Sequence, residues 1–221
     1  MSTRSKPVND KPTQTESAYS ELRRRILILE LAPNERLKEE AWSEKLSVSR
    51  AAIRESLTRL QGEGLVYAGQ RGGFFVTEMT ERDVHEFREL REVLETAAFR
   101  LACERATNQQ VKEIIETCDD FANMVQKGYM TGACEADLRF HRLLVAASGN
   151  SRFLQVYQKS NIPLFQMKLG RSMDFLHDLA ETEREHRAIA DALKKRDADK
   201  GVELLKTHFN RGEKDVLSVS R

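Results

Sequence analysis

Residues 46–60 read Leu46-Ser47-Val48-Ser49-Arg50-Ala51-Ala52-Ile53-Arg54-Glu55-Ser56-Leu57-Thr58-Arg59-Leu60. Ile53, Leu57 and Leu60 recur at helical spacing and put one apolar stripe on a helix. Ser49 stands at the N-cap, where its hydroxyl can accept a hydrogen bond from a backbone N–H one turn on. Upstream, Ser47-Val48-Ser49 makes a short turn, and roughly Lys38 to Leu46 reads as another helix with Trp42 and Leu46 inward. Further back, Tyr19, Leu22, Ile26 and Leu29 predict an amphipathic helix over 15–30, which Pro33-Asn34 ends with a turn. Downstream, Gly62 or Gly64 stops the central helix. Leu65-Val66-Tyr67 and Phe74-Phe75-Val76 then flank a glycine-rich turn, Ala68 to Gly73, which predicts a hairpin. The order helix, helix, turn, helix, hairpin is that of a winged helix-turn-helix.

Such a motif lays its second helix in the major groove, with the N-terminal residues toward the base edges. Ser49, Arg50, Ala51 and Arg54 occupy that end. Arg50 and Arg54 project from one face, and the guanidinium fork matches the O6 and N7 acceptors of guanine. Ala51 lets the helix approach closely, and Ser49 can contact a phosphate. Gly72 lies at the hairpin tip, where a glycine can approach a sugar-phosphate rail. Arg23, Arg24 and Arg25 could add phosphate contacts. Two arginines on a helix are more often a solvated face; the complete order of elements argues against that here.

After Thr80 no strand signal remains. Helical periods cover about 81–105, 108–127, 132–148, 151–169, 174–196 and 198–216, with Pro163 kinking the fourth. This half is an all-α bundle. The domain boundaries are therefore a disordered tail at 1–14, a DNA-binding domain at 15–79 and a helical domain at 80–221. Asp137 and His141 share a helix face with Leu144; His186 lies among Leu179, Ile189, Ala190 and Leu193; His208 sits beside Leu205 and Phe209. Three helices thus each direct an imidazole inward, with one carboxylate added. Helix bundles build metal sites in this way, and imidazole with carboxylate suits a divalent ion, zinc or nickel first, with manganese, iron or cobalt also compatible. The bland alternative is hydrogen-bonded core histidines. His85 and His177 have no such partners and are read as ordinary.

A net charge of +1 means that only a local basic cluster could bind DNA. No apolar run approaches the roughly 20 residues of a membrane span. The polar N-terminus is no secretory signal, and three scattered cysteines suit a reducing compartment. A cytoplasmic location with no membrane partner is expected.

The stretch from Ala18 to Val76 resembles the DNA-binding domain of GntR-family regulators. The motif at 46–60 carries the resemblance, with Gly64-Leu65-Val66 and the wing Arg71-Gly72-Gly73-Phe74-Phe75-Val76. It implies a homodimer on a short palindromic operator in double-stranded DNA, contacted through Ser49, Arg50, Ala51, Arg54 and Gly72. The chain departs from the pattern at Trp42-Ser43, at Ala52 in place of a proline, and at Glu40, where some members have a DNA-contacting arginine. Residues 81–221 look like the FCD ligand-binding domain of the FadR branch, on Leu90-Arg91-Glu92-Val93-Leu94-Glu95, Asp137-Leu138-Arg139-Phe140-His141, Ser148-Gly149-Asn150, Glu185-His186-Arg187-Ala188-Ile189 and His208. That resemblance implies an antiparallel bundle of six or seven helices around a metal held by Asp137, His141, His186 and His208. It also implies a small organic acid whose carboxylate completes the coordination. Arg91 is the candidate for a second carboxylate contact, with an Arg91–Glu95 helix pair as the alternative.

The expected protein is a mainly α transcription regulator, repressor or activator, and not an enzyme. A metal-dependent enzyme is the rival, but no HExxH and no evident general base accompany the site. A regulator that senses the metal alone and an adaptor without DNA affinity are the others.

Overall fold

The computed structural model describes residues 12–27, 30–78, 80–160 and 175–218. Most of the expected tail, Leu29 and the kink at Pro163 lie outside these residues. The chain divides into two compact units. The first spans residues up to 26 together with 31–77; the second comprises 27–30 and everything from 78 onward.

In the first unit, α1 (Gln14–Leu27) starts one residue inside the stretch assigned to the tail. It buries Ala18, Leu22 and Ile26. The helix pair follows as α2 (Glu39–Leu46) and α3 (Arg50–Gly62). Ser47 closes α2 in the left-handed conformation at φ 54°, which turns the chain within three residues. Ser49 then caps α3, its side chain accepting from the Ala52 N–H. Ile53, Leu57 and Leu60 face inward with no exposure. The hairpin strands are β2 (Val66–Ala68) and β3 (Phe74–Val76). A strand not foreseen, β1 (Arg36–Leu37), pairs antiparallel with β3, giving the order β1-β3-β2. The register Val66↔Val76 and Tyr67↔Phe75 leaves Val66 and Val76 on the core side.

Among the described residues the second unit has six helices: α4 (Glu81–Arg105), α5 (Asn108–Gln126), α6 (Met130–Ala147), α7 (Ser151–Lys159), α8 (Phe175–Lys194) and α9 (Ala198–Ser218). Thr80 with Asp83 and Thr107 with Gln110 form capping boxes that fix the starts of α4 and α5. Asn150 caps α7. Phe99, Phe140, Leu144, Ile189, Leu193, Leu205 and Phe209 form the main core, so α4, α6, α8 and α9 share one interior. No described helix is long and apolar enough to cross a membrane.

Candidate metal centre and nucleic-acid interface

Helical spacing carries four donors into the interior of the bundle. Asp137 and His141 come from α6, His186 from α8 and His208 from α9. All four are buried, and one ligand atom from each lies within 4.8 Å of the others. His141 and His208 face each other with their Nε2 atoms 3.2 Å apart. Asp137 Oδ1 is 3.3 Å from His186 Nε2 and 3.8 Å from His141 Nε2. The His186 ring stacks on Phe140, with centroids 4.1 Å apart.

Two glutamates stand behind the imidazoles. Glu95 on α4 lies 2.7 Å from His141 Nδ1, and Glu185 on α8 lies 2.7 Å from His208 Nδ1. Burial raises the Glu185 carboxyl, but hydrogen bonds from His208 and Arg211 outweigh it and bring it down to about 2. With Glu185 ionised, His208 donates through Nδ1 and turns a bare Nε2 lone pair to the centre. Burial pushes Glu95 up, against the pull of Arg91. Burial also drives His141 and His186 well below the usual imidazole range, helped by neighbouring positive groups. His208 is lowered by burial too, with Glu185 opposing. Neutral imidazoles are the ligating form. Neither ring nitrogen of His186 has a hydrogen-bond partner, although both are buried. An orphaned buried donor or acceptor costs about 1–3 kcal/mol, so this cluster is poorly satisfied by the protein alone. A divalent cation accepting lone pairs from three imidazoles and a carboxylate fits the donor set.

Arg91 lies inside the bundle. It is buried at 2% exposure, its Nε donates to Glu95 Oε1 at 2.8 Å, and its guanidinium lies over the Phe209 ring at 4.6 Å. The helix pair considered beside the effector role is thus formed. Arg91 still interacts electrostatically with Asp137 and with Tyr157 of α7. The Tyr157 hydroxyl is buried without a hydrogen-bond partner. The contact of Glu95 with His141, and any role for Glu185 and Tyr157, escaped the sequence reading. The adjacency Glu185-His186 was one available signal.

His85 does have a partner: its Nδ1 pairs with Glu213 Oε1 at 2.7 Å on the surface. The His177 side chain lies outside the described residues.

In the first unit, Arg50, Ala51 and Arg54 are exposed on α3 and line one open surface with Glu39, Thr58 and Arg59. Ser49 is exposed at the start of the helix. The two arginines are not bare. Arg54 donates from Nε and Nη2 to both oxygens of Glu39, each at 2.9 Å, and Arg50 Nη2 pairs with Glu40. Glu40 therefore meets a residue assigned to DNA, a consequence of the departure in α2 that the sequence alone did not specify. Gly72 sits at φ +83° at the exposed hairpin tip with open space around it, so it is the backbone conformation that calls for glycine. Arg24 and Arg25 pair with Glu21, and Arg23 with Glu63, which occupies the charges proposed for phosphate contact.

Comparison with known proteins matches residues 86–211 to the FCD domain and residues 14–76 to bacterial regulatory proteins of the gntR family. The HTH-type transcriptional regulator YdhC of Bacillus subtilis (strain 168) is 29% identical, over 91% of this chain and 90% of its own. The Nta operon transcriptional regulator of Aminobacter aminovorans is 28% identical, over 86% and 88%. Among solved structures, McbR/YncC of E. coli superposes with a TM-score of 0.81 at 21% identity, covering 96% of this chain and 100% of that one. The two regulators matched by sequence are named as transcription regulators and not as enzymes.

Proposed function

This chain belongs to the GntR family of bacterial regulatory proteins, in the form that carries an FCD domain, and we propose on that premise that its hold on DNA is set by a small organic acid bound at a metal. Asp137, His141, His186 and His208 hold the ion, which supplies a Lewis-acidic centre for a carboxylate. Glu185 and Glu95 fix the tautomer and orientation of the two imidazoles they touch. The buried Arg91 cation and the Tyr157 hydroxyl are the groups assigned to the remaining oxygens of the acid. The protein acts in the cytoplasm as a homodimer, placing two copies of α3 on the half-sites of a palindromic operator, with Ser49, Arg50, Ala51, Arg54 and Gly72 at the DNA.

One observation carries this reading: four buried donor atoms converge within 4.8 Å, and the imidazole nitrogens of His186 lack any hydrogen bond. Elemental analysis of the purified protein beside a His186→Ala/His208→Ala variant tests it. The expected result is about one zinc, nickel or other divalent ion per chain in the parent, lost in the variant. Absence of metal from both, even after reloading, makes the histidines core residues and removes the effector centre. Metal present but no carboxylic acid raising the melting temperature of the loaded protein points instead to a metal-sensing regulator.

A further inference from the structure

Helix α2 presents a carboxylate to each arginine assigned to DNA, and the two pairs differ. Glu39 engages Arg54 through Nε and Nη2 at 2.9 Å each, with the Glu39 side chain sheltered at 24% exposure and Arg54 at 69%. Glu40 engages Arg50 through Nη2 alone, with both side chains more than half exposed. The first pair is bidentate, the geometry in which an Arg–carboxylate contact holds a fixed orientation even at a surface. The second is an ordinary surface pair, free to exchange its carboxylate for a phosphate.

We propose that Glu39 is a positioning residue that presents Arg54 to a guanine of the operator, while Arg50 and Glu40 set general affinity for the phosphate backbone. This rests on the DNA-binding reading above. The chemistry follows from counting donors. A guanidinium has five N–H groups. Glu39 takes the Nε–H and one Nη2–H along one edge of the plane. The second Nη2–H and both Nη1–H groups remain, and two of them form the end-on fork that matches guanine O6 and N7. A side chain already clamped in that orientation loses little rotamer freedom on docking. Discrimination then comes from a fixed fork rather than a mobile charge. A lysine at position 54 would supply the charge but not the fork.

Selection from a random-sequence duplex library tests the proposal, with wild type, Glu39→Gln, Glu40→Gln and Arg54→Lys run in parallel. Anisotropy titrations follow on the selected duplex and on a scrambled one at fixed salt, with a melting curve for each variant. Wild type is expected to enrich an invariant guanine in each half-site. Glu39→Gln should make that position degenerate and weaken the selected duplex by about tenfold, with the scrambled duplex bound as well as before or better. Arg54→Lys should lose the same guanine. Glu40→Gln should strengthen both duplexes together and keep the guanine, because it removes only a charge that opposes phosphate. If Glu39→Gln, folded as wild type, retains the guanine at full discrimination, Glu39 is no positioning residue. If it strengthens both duplexes in parallel, it is only a repelling charge, and the proposal fails. If wild type enriches no sequence at all, the operator-binding reading itself fails, and this inference with it.

Discussion

At the scale of single residues, His208 shows how the centre is held ready. Its Nε2 faces His141, and its Nδ1 is tied to Glu185. Glu185 is anchored in turn by Arg211, whose Nε and Nη2 donate to its two oxygens at 2.9 and 2.7 Å. Replacing Glu185 with glutamine keeps the shape and removes the charge that fixes the tautomer. Supporting groups of this kind typically contribute about 10–100-fold in metal affinity. Glu185→Gln is therefore expected to bind zinc or nickel about 10–100-fold more weakly in competition with a chelating dye. Parent-like affinity in a folded variant would remove Glu185 from the description of the site. Asp137, His141, His186 and His208 were legible because apolar neighbours at helical spacing fix which way each points. Glu95 and Glu185 were not, because a glutamate on a helix reads as a solvated face. Only packing against partners 46 and 23 residues away gives them their role.

At the scale of elements, the crossing of α4 and α9 depends on one missing side chain. A Cβ built at Gly201 would lie 2.0 Å from the ring of Phe99, which has no exposure and sits in the main core. That ring has no solvent to move into, so the helices would have to separate. Gly201→Ala is expected to destabilise by about 1–3 kcal/mol or more, as overpacked cores do. Gly62, near the end of α3, is the control: a Cβ there meets nothing within 4 Å, so Gly62→Ala should cause no comparable loss. Chemical denaturation of both variants beside the parent measures the difference; equal midpoints would mean that the bundle yields at Phe99. Elements were legible in proportion to their length. The apolar stripes of α3, α4 and α6 announce themselves over several turns. The two-residue β1 carries no period to read and exists because Arg36 and Leu37 meet Phe75 and Phe74 across the sheet. Likewise the stripe on α4 tells which face Arg91 occupies, not what covers it. The Phe209 ring lies 4.6 Å from its guanidinium.

At the scale of the whole molecule, the division at residues 77 and 78 separates the proposed DNA contacts from the proposed effector centre. Every residue assigned to DNA lies in the first unit, and every donor proposed for the metal lies in the second. No side chain is shared, so an effector can alter operator binding only if it binds more tightly to one arrangement of the protein than to another. That requirement has a thermodynamic consequence independent of structural detail. If the acid changes operator affinity by some factor, the operator must change the affinity for the acid by the same factor. Couplings of this kind are typically about 1–3 kcal/mol, or roughly 5–150-fold. Titrating a binding carboxylic acid into metal-loaded protein, free and saturated with operator duplex, gives one side of the cycle. Titrating operator with and without the acid gives the other. Equal factors on the two sides are expected, and both should collapse to unity in the His186→Ala/His208→Ala variant, which lacks the centre. A coupling that survives in that variant would mean that the acid acts from somewhere other than the metal. The buried histidines would then have no part in the switch.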